Sequence, residues 1–335
     1  YEGMVRVLAG LAGRRDLSAV EGVSFCGQMH GLVILDEKDE VIRPALLWND
    51  NRTVEEVRYL NEDVGRELLI QWTGNIALTG FTAPKVLWVK NHEPENFKRI
   101  QKIMLPKDYL VYRMTGVFAS DVSDDSGTLY FDTRNKCWSA PMLEILGVRE
   151  SQLPQIFESY QAVGTVRPEF AALTGLSPAA RVIAGGGDQA VGAVGTGTVA
   201  GNMLSISLGS SGVVFASSKE FAGDAEGRLH SFCHANGGFH MMGVILSAAA
   251  SLNWWVEDIL KESDYDRVLS EIDVDHLDGV FFLPYMMGER SPINDPSAKG
   301  MFYGLSLMRG RDSLTKAVIE GVSFALKDCY DVILA

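Results

Sequence analysis

The order of the secondary-structure patterns constrains the fold most strongly, because it runs from strands to helices twice. The first half opens with strand patterns in VSFCGQM and in the two apolar runs of GLVILDEKDEVIRPALLW, which flank a charged turn. Helical patterns follow in TVEEVRYLNE, APKVLWVKNH and KDYLVYRMTG. The second half repeats this order, with strand patterns in MLSISLGSSGVVFAS and GFHMMGVI and helices after them. This succession predicts two α/β domains.

A turn-rich segment, TGLSPAA, precedes the strand pattern RVIAGG and indicates a joint between the domains. We therefore predict domains at 1–178 and 179–335, facing each other across a cleft, which is a common place for a ligand. A helical pattern begins near Tyr1 without a capping residue, and another runs to Ala335 without a glycine or proline stop. The sequence is therefore expected to be truncated at both ends.

Composition narrows the range of partners and the compartment. The 335 residues are 47% hydrophobic and 22% charged, which is typical of a folded protein. A net charge of -13 argues against nucleic-acid and membrane surfaces, but it permits a local pocket for a phosphorylated small molecule. Four cysteines without a CxxC pair favour a reducing compartment, and no signal-peptide or membrane-spanning pattern occurs. We expect a cytoplasmic protein that binds small molecules.

The stretch AGGGDQAVGAVGTG, which contains Gly187 and Asp188, indicates an anion site. Glycines after a strand let phosphate oxygens approach the backbone N–H groups, and the N-terminus of the following helix favours negative charge. A tight strand-to-helix turn is the alternative. It leaves Asp188 unexplained, because a carboxylate beside a phosphate repels it unless it binds a metal or takes a proton from an attacking hydroxyl group.

A second candidate is the Gly-Ser-Ser-Gly turn of SISLGSSGVVF, at Gly209, Ser210, Ser211 and Gly212. Its hydroxyl and backbone N–H groups could bind a phosphate chain. Turn chemistry alone favours an ordinary hairpin here.

Two motifs of the first half suit sugar recognition. His30, in GQMHG, lies at a predicted strand end, where an imidazole can bind a sugar hydroxyl, although an isolated histidine is more often structural. WNDNRT combines the aromatic Trp48 with the polar Asp50 and Arg52, which suits polyol binding and equally suits a capped helix start.

Two further segments carry weaker signals. HSFCHANGGFH places His230, Cys233, His234 and His240 close together, but the segment alternates like a strand and lacks a second ligand pair, so no metal site is predicted. The adjacent Glu289 and Arg290 lie in a turn-rich loop that either braces the cleft or is an ordinary surface loop.

Taken in order, several motifs resemble the FGGY family of carbohydrate kinases, and its xylulose-phosphorylating members most closely. They are GQMHG, WNDNRT, GFTAPKVLWVKN, LPKDYLVYRMTG, SDDSGT, GGGDQAVGAVG, SLGSSGVV, LPYMMGERSPINDP and GMFYGL. The resemblance covers nearly the whole sequence. It implies two ribonuclease-H-like (actin-like ATPase) domains with sugar and ATP meeting in the cleft, and transfer of the γ-phosphate to D-xylulose, giving D-xylulose 5-phosphate, with ATP and Mg²⁺ as cofactors.

The resemblance also assigns roles to individual residues. Asp188 is similar to the family's general base, and Met29, His30 and Gln189 match positions that contact the sugar, to which our interpretation adds Trp48, Asp50 and Arg52. The ATP phosphates are assigned to Gly187 and to the turn at Gly209, Ser210, Ser211 and Gly212. Gln189 replaces a common Asn, and Ser210 replaces a common Thr.

Parts of the family pattern are absent, and alternatives stay open. No Asp-Gly-Thr phosphate loop precedes Tyr1, and the adenosine-binding segment would follow Ala335, so weak ATP binding and slow or absent turnover are expected. The alternatives are a kinase for ribulose, gluconate, a deoxyketose or glycerol, and a non-catalytic sugar-binding module. A dehydrogenase is disfavoured because the dinucleotide fingerprint is absent. The sequence leaves the oligomeric state undecided, with a homodimer as one option.

Overall fold

The computed structural model describes residues 1–276 and 279–335. These residues form an α/β fold. None of the helices in these ranges combines the length and apolar character that crossing a bilayer requires. The helices are α1 Glu2–Ala12, α2 Val54–Arg58, α3 Arg66–Thr73, α4 Thr82–His92, α5 Pro94–Arg99, α6 Pro106–Thr115, α7 Val122–Asp125, α8 Ala140–Leu146, α9 Pro168–Thr174, α10 Asp188–Gly195, α11 Ala249–Asn253, α12 Tyr265–Ser270 and α13 Arg311–Leu334. The strands are β1 Gly22–Val23, β2 Cys26–Gly27, β3 Val33–Leu35, β4 Lys102–Met104, β5 Ala119–Asp121, β6 Phe131–Asp132, β7 Cys137–Trp138, β8 Gln155–Phe157, β9 Ala162–Thr165, β10 Arg181–Ile183, β11 Gly186–Gly187, β12 Leu204–Leu208, β13 Gly212–Ser218, β14 His230–Cys233, β15 Phe239–Ile245, β16 Phe281–Leu283 and β17 Met301–Tyr303.

The chain folds into two compact units. The first comprises Tyr1–Ala200, Ser218–Gly227 and Ser231–His240, and the second comprises Gly201–Ser217, Arg228–His230 and Met241–Ala335. In the first unit, β10 lies between β1 and β9 in a three-stranded sheet. This pairing holds the 181–183 segment within the first unit, so the predicted boundary at 178/179 falls inside that unit.

Short strands of the first unit carry the residues of interest. The predicted strand VSFCGQM forms two pieces, β1 and β2, of which β2 pairs in parallel with β11. The predicted hairpin of residues 31–48 is confirmed, because antiparallel bridges join Leu32 to Leu46 and Leu35 to Val41. The short apolar segment KIMLP, between two helical patterns, also favours a strand, and it forms β4, which is antiparallel to β3.

Helices α4 and α6 confirm the predicted helical segments and position two lysines. Helix α4 buries nearly every residue from Thr82 to Val89, so polar side chains here lie inside the protein. Helix α6 begins with Pro106 and ends at Gly116, which has a left-handed φ of 77°. A glycine adopts this conformation without the steric cost of a Cβ atom, which explains why the helix ends there.

The second half confirms the predicted strand hairpin and terminal helix. Strands β12 and β13 pair antiparallel, from Leu204 opposite Ala216 to Leu208 opposite Gly212. They belong to a four-stranded sheet in the order β12-β13-β15-β14. Of the periodic residues Val318, Val322, Ala325 and Cys329, helix α13 buries all except Val322, which is only partly buried.

Candidate functional site

Asp188 is the first residue of α10 and directly follows β11. Its side chain is exposed, and its Oδ1 accepts a hydrogen bond from the backbone N–H of Gln189 at 2.9 Å. Protein atoms nevertheless surround the carboxylate on several sides, and this burial raises the pKa of Asp188. An accessible carboxylate with a raised pKa is suited to accept a proton from a bound hydroxyl group.

Met29 lies directly against the backbone that leads into Asp188. A Cβ atom added at Gly187 would lie 2.8 Å from Met29 Cγ, closer than side chains tolerate. Met29 itself is buried. Packing on Met29 is thus sufficient to require glycine at 187, and the predicted contact of Gly187 with ATP stays a prediction.

His30 is half-buried and held in one orientation. Its ring stacks on Phe81 with centroids 4.6 Å apart, and its Nδ1 lies 2.7 Å from the carbonyl oxygen of Gly127. Because a carbonyl oxygen only accepts, Nδ1 carries a proton in this contact. A Cβ atom at Gly127 would lie 2.5 Å from this ring, so a larger residue there would displace His30.

The predicted sugar-binding residues of WNDNRT make contacts among themselves. Arg52 Nε lies 2.9 Å from Asp50 Oδ1, and this hydrogen bond lowers the pKa of Asp50. The Arg52 guanidinium also lies 4.6 Å from the centre of the Trp88 ring. Arg52 is therefore engaged in the folded chain, whereas the Trp48 side chain is exposed.

Lys85 is a residue of this region to which the sequence patterns gave no role. It is fully buried, and its Nζ donates to the carbonyl oxygens of His30 at 2.8 Å and Gly80 at 2.6 Å. Burial lowers the pKa of Lys85 to about 7, against the opposing charge of Asp50. The motif GFTAPKVLWVKN contains Lys85, so the available signal was a lysine within the apolar run from Ala83 to Val89.

A second buried lysine, Lys107, lies under the strand that leads to Asp188. Its Nζ lies 2.6 Å from Asp108 Oδ1 and 2.9 Å from Asp121 Oδ1, and it donates to the carbonyl oxygen of Ala184 at 3.3 Å. Burial alone would lower the pKa of Lys107, but the neighbouring carboxylates raise it well above the usual value. This lysine is therefore charged at neutral pH.

A buried serine connects this ionic cluster to the backbone beside Asp188. Ser123 Oγ accepts a hydrogen bond from Gly187 N–H at 3.1 Å and donates to Asp121 Oδ2 at 2.6 Å. The turn that presents Asp188 is thus fixed from below by charged and hydrogen-bonded side chains. The motif SDDSGT contains Ser123, but nothing in its spacing indicated this contact.

The predicted phosphate-binding turn lies in the second unit, where Gly209, Ser210 and Ser211 are exposed. The backbone N–H groups of Ala248 and Ala249 donate to the carbonyl oxygens of Ser210 and Gly209. Those carbonyl groups therefore face the start of α11. The serine hydroxyl groups lie on an accessible surface.

Gly212, the last residue of the turn, is buried for a separate reason. A Cβ atom there would lie 2.8 Å from Ile245, so close packing requires glycine. The adjoining loop contacts the turn indirectly, because buried Glu289 accepts a hydrogen bond from Leu246 N–H, and the Leu246 carbonyl oxygen accepts one from Ser211 Oγ. Glu289 thus braces the chain beside the turn.

The described residues offer no metal centre made of side chains alone. Within residues 1–276 and 279–335, no group of three or more His, Cys, Asp or Glu side chains is arranged to hold a metal ion. The histidine-rich segment instead forms β14 and β15, and His234 Nε2 lies 2.9 Å from the carbonyl oxygen of Thr198.

Family comparisons match almost the entire chain. The model of the FGGY family of carbohydrate kinases, N-terminal domain, matches residues 4–195, and the model of the C-terminal domain of that family matches residues 204–335. Asp188 lies within the match to the N-terminal domain, which ends at residue 195, before the second match begins at residue 204.

Individual proteins agree with the family comparisons. Xylulose kinase from Escherichia coli is 44% identical over 100% of this chain and 69% of its own length, and xylulose kinase from Klebsiella pneumoniae is 44% identical over 97% and 67%. The crystal structure of a xyloylose kinase from Brucella ovis is 40% identical with a TM-score of 0.91, over 98% of this chain and 68% of that one. The chain therefore spans about two thirds of the length of these relatives, and it is similar to them throughout.

Proposed function

Because this chain belongs to the FGGY family of carbohydrate kinases, we propose that it transfers the γ-phosphoryl group of ATP to the terminal hydroxyl group of D-xylulose, giving D-xylulose 5-phosphate. The relatives at 44% identity are named for this activity. The observation that carries the proposal is the exposed carboxylate of Asp188, whose pKa is raised beside the Met29 and His30 segment.

Asp188 acts as the general base. As the sugar hydroxyl oxygen bonds to the γ-phosphorus, the bond from that phosphorus to the bridging oxygen breaks, and ADP leaves. The hydroxyl proton passes to Asp188 Oδ, and a positioned base of this kind contributes about 100 to 10,000-fold in rate. A raised pKa strengthens the carboxylate as a base, while its exposure leaves room for the sugar.

The sugar contacts come from the same unit. His30 contributes its imidazole to the sugar contacts, with the ring oriented by the contact of Nδ1 with the Gly127 carbonyl oxygen. Met29 and Gln189 border Asp188 on either side, and Trp48 offers an exposed aromatic face. Asp50 and Arg52 neutralise each other, so they bind sugar hydroxyl groups as a pair.

The ATP phosphates are assigned to the turn at Gly209, Ser210, Ser211 and Gly212, whose exposed hydroxyl groups fit a phosphate chain. Bound MgATP supplies the phosphoryl group. Mg²⁺ in kinases is usually held by substrate phosphates with one or two carboxylates, so the absence of a dense ligand cluster among the described residues fits it, and no side chain is assigned as its ligand.

The partners in this proposal are small molecules, the sugar and ATP. The four cysteines are free thiols, which agrees with the reducing cytoplasm that we propose as the location. A homodimer is the assembly proposed for testing by light scattering.

A sugar panel tests the activity. The chain is incubated with millimolar ATP, labelled at the γ-phosphate, and with D-xylulose, D-ribulose, gluconate, a deoxyketose or glycerol, and the labelled sugar phosphate is counted. We expect transfer to D-xylulose to exceed transfer to the others. Preferred transfer to another sugar would assign that substrate instead, and Gln189 in place of the common Asn makes this outcome worth measuring. Sugar binding without transfer to any acceptor, both by this chain and by a form extended to the length of its xylulose kinase relatives, would contradict the kinase proposal.

A further inference from the structure

We infer that Lys85 is a positioning residue of the sugar site: its side chain holds the backbone of His30 and Gly80 in the arrangement that sugar binding needs. The inference rests on the proposed function, because it concerns the same site. Lys85 does not contact the reacting atoms in this account. It acts through the backbone groups to which it donates.

Contacts from α4 hold the backbone of His30 in its conformation. His30 has a φ of 69°, in the left-handed region that residues with a Cβ atom seldom adopt, so surrounding contacts must hold it there. Its carbonyl oxygen accepts hydrogen bonds from Lys85 Nζ at 2.8 Å and from Thr82 Oγ1 at 3.1 Å. Both donors come from the first turn of α4, so the helix fixes the peptide that follows the His30 ring.

Lys85 is also linked to the Trp48 segment, through Gly80. Lys85 Nζ also donates to the carbonyl oxygen of Gly80 at 2.6 Å. A Cβ atom at Gly80 would lie 2.9 Å from the carbonyl oxygen of Trp48, so these two backbones are in close contact. The charge of Asp50 also acts on Lys85. One amine thus connects the two segments that carry His30 and Trp48.

This connection needs a lysine at position 85. The side chain is fully buried, and a buried amine is costly unless its donors are satisfied. Two carbonyl oxygens satisfy donors of the amine in either protonation state. Methionine is one atom shorter than lysine and donates nothing, and arginine presents a wider planar group that the buried site would have to accommodate.

The test measures D-xylulose binding to the whole chain by isothermal titration calorimetry. Lys85→Met is compared with wild type and with Lys90→Met, which removes a lysine on the same helix that donates to the carbonyl oxygen of Ile145 at 3.3 Å. We expect Lys85→Met to weaken binding about tenfold or more, because small misplacements of a site have effects of this size, and Lys90→Met to bind as wild type does.

Calorimetry separates positioning from folding. A variant that is partly unfolded shows fewer binding sites per chain, whereas a misplaced loop shows a weaker Kd at full stoichiometry. If Lys85→Met does not fold, Thr82→Val carries the test, since it removes only the second donor to the His30 carbonyl oxygen. A Kd weakened about threefold in Thr82→Val supports the inference.

The opposite results are equally defined. An unchanged Kd in folded Lys85→Met, or in Thr82→Val where Lys85→Met does not fold, overturns the inference while leaving the proposed function intact. Absence of binding by the wild-type chain to every sugar in the panel instead refutes the proposed function, and the inference with it. The wild-type measurement therefore distinguishes the two failures.

Discussion

Lys85 and Lys107 are two buried lysines of the same unit, and their amines have opposite electrostatic environments. Lys85 donates to the carbonyl oxygens of His30 and Gly80, and its pKa is lowered to about 7. Lys107 lies between the carboxylates of Asp108 and Asp121, and its pKa is raised well above the usual value. Burial acts in the same direction on both, so the partners decide the charge.

A buried amine therefore supports its surroundings in one of two ways, depending on its partners. Carbonyl oxygens accept hydrogen bonds from either form of the amine, so Lys85 fixes backbone without requiring a full charge in the interior. Carboxylates require the charged form, so Lys107 is part of an ionic cluster, and it also donates to the backbone between β10 and β11 at Ala184. We expect loss of Lys85 to affect sugar binding and loss of Lys107 to affect folding.

Removing Lys107 has the largest expected effect on stability. In Lys107→Met, the buried Asp108 and Asp121 lose their counter-charge, and breaking a buried ion pair in this way costs about 3–5 kcal/mol of unfolding free energy. Urea unfolding measures the loss. Lys102→Met is the control, because Lys102 pairs with Asp39 at a partly exposed position and should cost no more than about 1 kcal/mol. Equal losses in the two variants would show that Lys107 carries no special ionic role.

A smaller effect separates the two lysines by pH. Between pH 7 and 10.5, the unfolded chain binds a proton at Lys85 that the folded protein does not bind, so folding gains stability as pH rises, by at most about 1.4 kcal/mol per pH unit. Lys85→Met lacks this gain. The unfolding free energy of wild type minus that of Lys85→Met should therefore rise from pH 7.5 to 9.5 in urea titrations. A constant difference would mean that Lys85 remains charged when buried, as Lys107 does.

The smallest effect concerns the charge of Asp188, above the Lys107 cluster. Burial raises the pKa of Cys26, and the negative charges of Asp188 and Asp124 raise it further. Asp188→Asn should therefore increase the thiolate fraction of Cys26 and accelerate its alkylation by iodoacetamide about twofold at pH 8. Cys137 is the internal control, because its pKa is raised by burial, Asp132 and Glu150. Equal acceleration at both cysteines would indicate a general loosening of the fold.

Local patterns predicted the fold well where one residue type has one structural use. The hairpin at 31–48, the glycine stop of α6 and the β12–β13 hairpin follow from turn and helix-end chemistry, and the structure confirms them. The predicted boundary at 178/179 was drawn from turn residues alone. Pairing of β10 with β1 and β9 joins distant segments, and a local pattern does not contain that information.

The candidate site was only partly accessible to sequence reasoning. Asp188 was found because a carboxylate after a glycine run is unusual, His30 was found from its place at a predicted strand end, and Met29 came from the family resemblance. Lys85 and Ser123 were not assigned, because their contacts reach His30 and Gly187 across 55 and 64 positions of sequence. Supporting residues of this kind act on backbone groups. Every residue type carries these groups, so the sequence does not show which of them are contacted.

Phosphoryl transfer and sugar binding, measured side by side in Asp188→Asn, show whether Asp188 is the base. If Asp188 is the base, transfer to D-xylulose from millimolar ATP should fall by about 100 to 10,000-fold, while the Kd for D-xylulose in calorimetry changes by less than about threefold. Transfer at the wild-type rate, with sugar binding intact, would contradict the assignment of Asp188.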